Sequence, residues 1–138
     1  MSAYGSTGPI PAGGPDASYR VIAILNVDSP KGLAAVSVRD VSVFGDSGEE
    51  ASLRQVESVE RLPLAAPLTP VSLYETGDGR PFDGTLRAGT TRLRVRARLS
   101  DKPRSRAPAI RIVIGNGAMN ATATAMLGGE WPTAGPAR

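Results

Sequence analysis

Residues Thr91 to Leu99 read TRLRVRARL, and this stretch decides the fold class. Thr91, Leu93, Val95, Ala97 and Leu99 alternate with Arg92, Arg94, Arg96 and Arg98. A strand sends successive side chains to opposite faces, so a period of two marks a strand with one apolar and one charged face. The arginines then form a row with about 6.6–6.8 Å between successive members. Like charges in such a row repel one another. Solvent, acids on neighbouring strands or an anionic partner must offset that repulsion.

Working outward, the same texture recurs on both sides. Tyr19 to Val27 (YRVIAILNV) is a β-branched run that stops at the turn signal Asp28-Ser29-Pro30-Lys31-Gly32. Ala34 to Phe44 alternates in two pieces: Val36 and Val38 share a face, then Val41 and Val43 resume one residue out of phase. That slip predicts a β-bulge near Arg39-Asp40. Val71 to Glu75 reads as a short strand and Thr76 to Gly84 as a turn-rich loop. Ala109 to Ile114 leads through a Gly115-Asn116-Gly117 hairpin into a strand over Met119 to Leu127.

Ser47 to Leu62 pulls in two directions. Ser47 with Glu50 is a capping-box pattern, and Glu50/Arg54 and Glu57/Arg61 have the spacing of helix ion pairs. Leu53, Val56, Val59 and Leu62 recur at every third residue, a spacing that drifts round a helix. The expectation is a short helix, with an irregular strand as the alternative.

Short strands separated by regular turn signals, with no long helix, predict an immunoglobulin-like antiparallel β-sandwich of about six to seven strands, or failing that a small barrel. The domain spans 18–133. Residues 1–17 are rich in Gly, Pro, Ser and Ala and read as a flexible tether, and 134–138 as a tail.

Composition removes more chemistry than the motifs add. The 138 residues include no Cys and no His. Disulfides, thiolate metal sites and cysteine nucleophiles are thereby excluded, as are the usual neutral-pH base and the commonest metal ligand. No apolar run reaches the length of a membrane helix, and no signal peptide is written into the N-terminus. The tether and the β-rich body together favour an exported domain, periplasmic or extracellular, over a cytoplasmic one. Met1 then stands in for a removed signal or lipid-bearing residue.

The net charge of +3 hides an asymmetry. Residues 1–79 hold 10 acids and 5 bases, net −5, whereas residues 80–138 hold 11 bases and 3 acids, net +8. The basic groups run on past the row through Lys102, Arg104, Arg106 and Arg111. The stronger reading of the row is structural: cross-strand pairs with acids such as Asp40, Glu49, Glu50, Glu57, Glu60 and Glu75, each worth about 0.2–1 kcal/mol. The functional reading makes Arg92, Arg94, Arg96, Arg98 and the four basic residues beyond them a contact surface for a polyanion, lipid phosphates or an acidic partner. The excess of arginine over lysine suits planar, bidentate recognition. Nucleic acid fits poorly, because no aromatic stacking platform lies between Gly84 and Glu130.

The remaining motifs read as ordinary structure. Asp78-Gly79 and Asp83-Gly84 are turn formers rather than calcium ligands. Asn120-Ala121-Thr122 matches a glycosylation sequon within an expected strand, a chance match. Trp131 closes one end of the core. No constellation supports catalysis, a metal or a cofactor. The expectation is a non-enzymatic interaction or structural module whose partner is another protein, with a small anion-binding protein using the arginine face as the alternative.

Overall fold

The computed structural model describes residues 2–12, 20–63, 79–101, 105 and 108–126. Among these, every regular element is a strand: β1 (Ser2–Ala12), β2 (Arg20–Ser29), β3 (Ser37–Gly45), β4 (Gly48–Leu62), β5 (Arg80–Pro81), β6 (Gly89–Leu99), β7 (Ala109–Gly115) and β8 (Asn120–Met126). Hydrogen-bonded neighbours follow the order β1-β2-β6-β4-β3-β7-β8, with β5 attached to β4. All pairings are antiparallel. The two ends of the path, β1 and β8, lie side by side, so the sheet is nearly closed and barrel-like. The expected immunoglobulin-like sandwich is not confirmed; one continuous path of strands stands in its place.

Strand β4 explains that outcome. Its first residues pair with β3, from Gly48↔Gly45 to Ser52↔Ser42. Its remainder pairs with β6, from Leu53↔Leu99 to Leu62↔Arg92. A single long strand thus carries the sheet round from one half to the other. The helix expected over 47–62 is therefore corrected to a strand, and the misleading spacing has a physical origin. Register shifts fall between Leu53 and Gln55 and between Val56 and Ser58. Each adds one residue to β4 relative to β6. Leu53, Val56 and Val59, three apart, consequently face Leu99, Ala97 and Val95, two apart. The Glu50/Arg54 and Glu57/Arg61 spacings mean nothing here, because residues four apart on a strand are not neighbours.

The N-terminal segment read as a tether also differs. Ser2–Ala12 forms β1 on β2, with register shifts between Gly5 and Thr7 and between Thr7 and Ile10. Small residues and prolines argue against a buried core, but main-chain pairing at the end of a sheet needs little side-chain area. The bulge expected near Arg39-Asp40 is present as a shift between Val38 and Asp40 against β7. The β7–β8 hairpin is also present, its turn fixed by the Asn116 carboxamide oxygen accepting from the Ala118 and Met119 amides at 3.0 and 2.8 Å. The strand expected over 71–75, Trp131, and the tail lie outside the described residues.

The apolar face of β6 (Leu93, Val95, Ala97, Leu99) packs with Val21, Ala23, Leu25 and Val27 of β2, Val41 and Val43 of β3, and Ile110, Ile112 and Ile114 of β7. A second, smaller cluster occupies the other face of the same region. There Ile24, fully buried, and Leu62 pack with Ile22. That cluster shares its face with the arginine row.

Candidate functional site

The row sits on β6, which is flanked on both sides: by β2 and by β4. The register places Arg92 between Asn26 and Leu62, Arg94 between Ile24 and Glu60, and Arg96 between Ile22 and Ser58. Arg98 stands opposite Gln55 on β4. The two halves of the row differ in exposure: Arg92 is 8% exposed and Arg94 2%, whereas Arg96 and Arg98 are half-buried.

A buried guanidinium needs acceptors, because a desolvated, unpaired charge is costly. Arg94 has Glu60: one carboxylate oxygen, Oε1, receives Nε at 3.1 Å and lies 2.9 Å from Nη2. Arg92 donates from Nε to the Asn26 carboxamide oxygen at 3.2 Å, both residues being buried. Arg98 Nη2 lies 3.8 Å from Glu57 Oε2. The acid-rich first half of the chain thus supplies carboxylates to the basic second half across the β4–β6 ladder. Gly79 closes over the Arg94–Glu60 pair so tightly that a Cβ there would lie 2.7 Å from Arg94 Nη2 and 2.8 Å from Glu60 Oε2.

Of the remaining basic candidates, only Arg111 is among the described residues, and it does not extend this row. Arg111 is on β7, exposed, with its guanidinium 4.6 Å from the centre of the Phe44 ring. In the strand order β7 is separated from β6 by β3 and β4. Lys102, Arg104 and Arg106 lie outside the described residues. Ser105 is described: its amide and hydroxyl donate to Glu50 Oε1 and Oε2 at 3.1 and 2.8 Å. Asp46 N also donates to Ser105 Oγ at 3.0 Å.

Asp83 acts as the turn former the sequence suggests, accepting from the Thr85 amide at 2.9 Å. Asp78 is outside the described residues, and among those described no cluster of metal-ligating side chains occurs.

A different constellation forms where β4 ends and β6 begins. Arg61, Arg87 and Arg92, with Leu62, Ala88, Thr90 and Thr91, line an open hollow of about 310 Å³. Arg61 Nη2 donates to the Thr85 carbonyl at 2.6 Å and stands 3.8 Å from Asp83 Oδ1. Its Nε is buried, with no acceptor among the described residues. The Thr90 hydroxyl bonds the Asp28 carboxylate. Sequence reasoning missed Arg61 because it looked like the helical partner of Glu57, and Arg87 because it stands alone in a turn. Only the β4–β6 register and the return of the 82–88 loop bring them together.

Comparison with known proteins finds no matching family model and no significant match among curated proteins or solved structures.

Proposed function

We propose that this chain is a non-enzymatic interaction or structural module, a β-rich accessory unit of a larger assembly. One observation carries the reading: the most pronounced charge pattern in the sequence is turned inward. Arg94 is 2% exposed and bound to Glu60, Arg92 is bound to Asn26, and Arg98 faces Glu57. Groups engaged in this way stabilise the β2–β6–β4 ladder and offer little to a large polyanion. The second reading, anion contact by the row, draws on the half-buried Arg96 and Arg98.

The test is the double variant Arg96→Gln/Arg98→Gln. Under the module reading its unfolding temperature falls while retention on heparin and on anionic vesicles at low salt stays at the wild-type value. Unchanged thermal stability with lost retention would replace the module reading by the anion-contact one.

A further inference from the structure

We propose that Asn116 is a covalent modification site: its carboxamide closes on the Gly117 main-chain nitrogen and hydrolyses to aspartate or isoaspartate, and the folded β7–β8 turn restrains the reaction through Asn120. This goes beyond the module reading and does not depend on it. Of the three asparagines, Asn26, Asn116 and Asn120, only Asn116 precedes a glycine. Glycine has no Cβ to crowd a five-membered ring closing at its nitrogen. Water reaches the turn, since Asn116 is half-buried and residues 117–120 are exposed. In the first step the Gly117 nitrogen bonds to Asn116 Cγ, and Nδ2 leaves as ammonia with the proton that the Gly117 nitrogen gives up. Water then opens the succinimide. Breaking the new N–Cγ bond gives aspartate. Breaking the original N–C bond routes the main chain through Cγ and gives isoaspartate, whose main chain is one methylene longer.

The turn prepares one reactant and withholds the other. Asn116 Oδ1 accepts from the Ala118 and Met119 amides at 3.0 and 2.8 Å. Two main-chain donors on that oxygen are placed to take up the negative charge that forms on it when Cγ is attacked. The nucleophile is tied up instead: the Gly117 N–H donates to Asn120 Oδ1 at 3.1 Å. A neutral carboxamide oxygen accepts that hydrogen bond without removing the proton, so the bond must break before the nitrogen can attack. The Asn116 N–H also donates to the Met119 carbonyl at 3.1 Å, and Gly117 is held at φ 93°. Ring closure forms a new bond within this restrained stretch and cannot keep every one of these contacts. Asn120 is therefore a positioning residue, acting on the Gly117 nitrogen. The added methylene of isoaspartate lengthens the 116–119 turn and works against the Gly115↔Asn120 pair that the turn joins.

The experiment incubates the whole chain at neutral pH, folded and in guanidinium chloride, and follows Asn116 by peptide mass mapping with isoaspartate-specific detection. Conversion is expected in both, about tenfold or more slower in the folded protein, as the hydrogen bonds lost on the way to ring closure require. Asn26 and Asn120 should stay intact over the same period. In the folded protein Asn120→Ala, an exposed truncation, should speed conversion several-fold towards the denatured rate. Asn120→Asp keeps an acceptor oxygen and should convert as slowly as the wild type. Thermal melts of both variants separate release of the Gly117 nitrogen from loss of the fold. Equal rates in the folded and denatured wild type, or an Asn116 that stays intact in both, overturn the proposal. So does an Asn120→Ala variant that melts like the wild type and converts no faster.

Discussion

Glu60 Oε1 is the shared acceptor of two nitrogens of Arg94, at 3.1 Å from Nε and 2.9 Å from Nη2, in residues that face each other across the β4–β6 ladder. The two are unequally buried: Arg94 is 2% exposed and the Glu60 side chain 21%. Removing one member of such a pair costs more than removing both, because the buried partner keeps its desolvation penalty. Glu60→Ala should therefore destabilise the fold by about 3 kcal/mol, at the lower end for buried pairs because Glu60 keeps some contact with water. The double variant Glu60→Leu/Arg94→Met should recover most of that loss. Urea denaturation of the single and double variants measures both, and a double variant no better than Glu60→Ala would contradict the pairing.

Gly79 offers an independent handle on the same pair. A Cβ at this position meets Arg94 Nη2 at 2.7 Å and Glu60 Oε2 at 2.8 Å, closer than carbon approaches these atoms without something shifting. Gly79→Ala should cost about 1–3 kcal/mol, the usual range for overpacking. Combining it with Glu60→Ala should cost less than the two changes summed, because truncating Glu60 opens part of the space that the added Cβ needs.

The Glu50–Ser105 contact makes a local prediction. Ser105 donates from its amide and its hydroxyl to the two Glu50 carboxylate oxygens, and its hydroxyl accepts from Asp46 N. Glu50→Ala removes this anchor between the β3–β4 hairpin and the chain that joins β6 to β7. Trypsin should then cut after Arg104 or Arg106 several-fold faster than in wild type. Global stability should fall by only about 1–2 kcal/mol, since the anchor is a partly exposed contact. Equal cleavage rates in both proteins would show that the anchor does not restrain that chain.

Ile24 tests whether the arginine face is covered. On the outer wall of a simple barrel it would be wet, yet it is fully buried beside Leu62 and Ile22. Ile24→Ala should cost about 2–5 kcal/mol, the range for a core isoleucine, and so match Ile110→Ala on the opposite face. A loss below about 0.5 kcal/mol, typical of surface positions, would be incompatible with the burial.

These elements also show what the sequence makes legible. Thr91 to Leu99 alternates without interruption and is the strand that alternation implies, because nothing in β6 itself breaks its pleat. The slip between Val38 and Val41 correctly marks a bulge, since one inserted residue leaves a visible change of phase. In β4 two insertions follow so closely that a period of two becomes a period of three, and the strand borrows the appearance of a helix. The cross-strand use of Glu57 and Glu60 could be anticipated from the charge asymmetry, though not their registers. The burial of Arg92 and Arg94 could not, because it depends on which side chains of β2 and β4 stand beside them. Arg61 and Arg87 are invisible as a pair for the same reason, being joined only by tertiary folding.

The division of β4 between two partners has a kinetic consequence. Its first residues need only a tight turn to reach β3, and β7 reaches β8 in the same way, so both hairpins form from chain that is close in sequence. The β2–β6 ladder, by contrast, joins Val27 to Thr91 and must close a very long loop before any of its contacts is rewarded. Until β6 also pairs with β4, Arg94 and Glu60 have no fixed geometry and β4 presents an unfilled edge. The chain should therefore fold on the slow, millisecond-to-second scale of non-local β proteins. Its most aggregation-exposed intermediate is the one in which the hairpins are formed and β6 has not yet arrived.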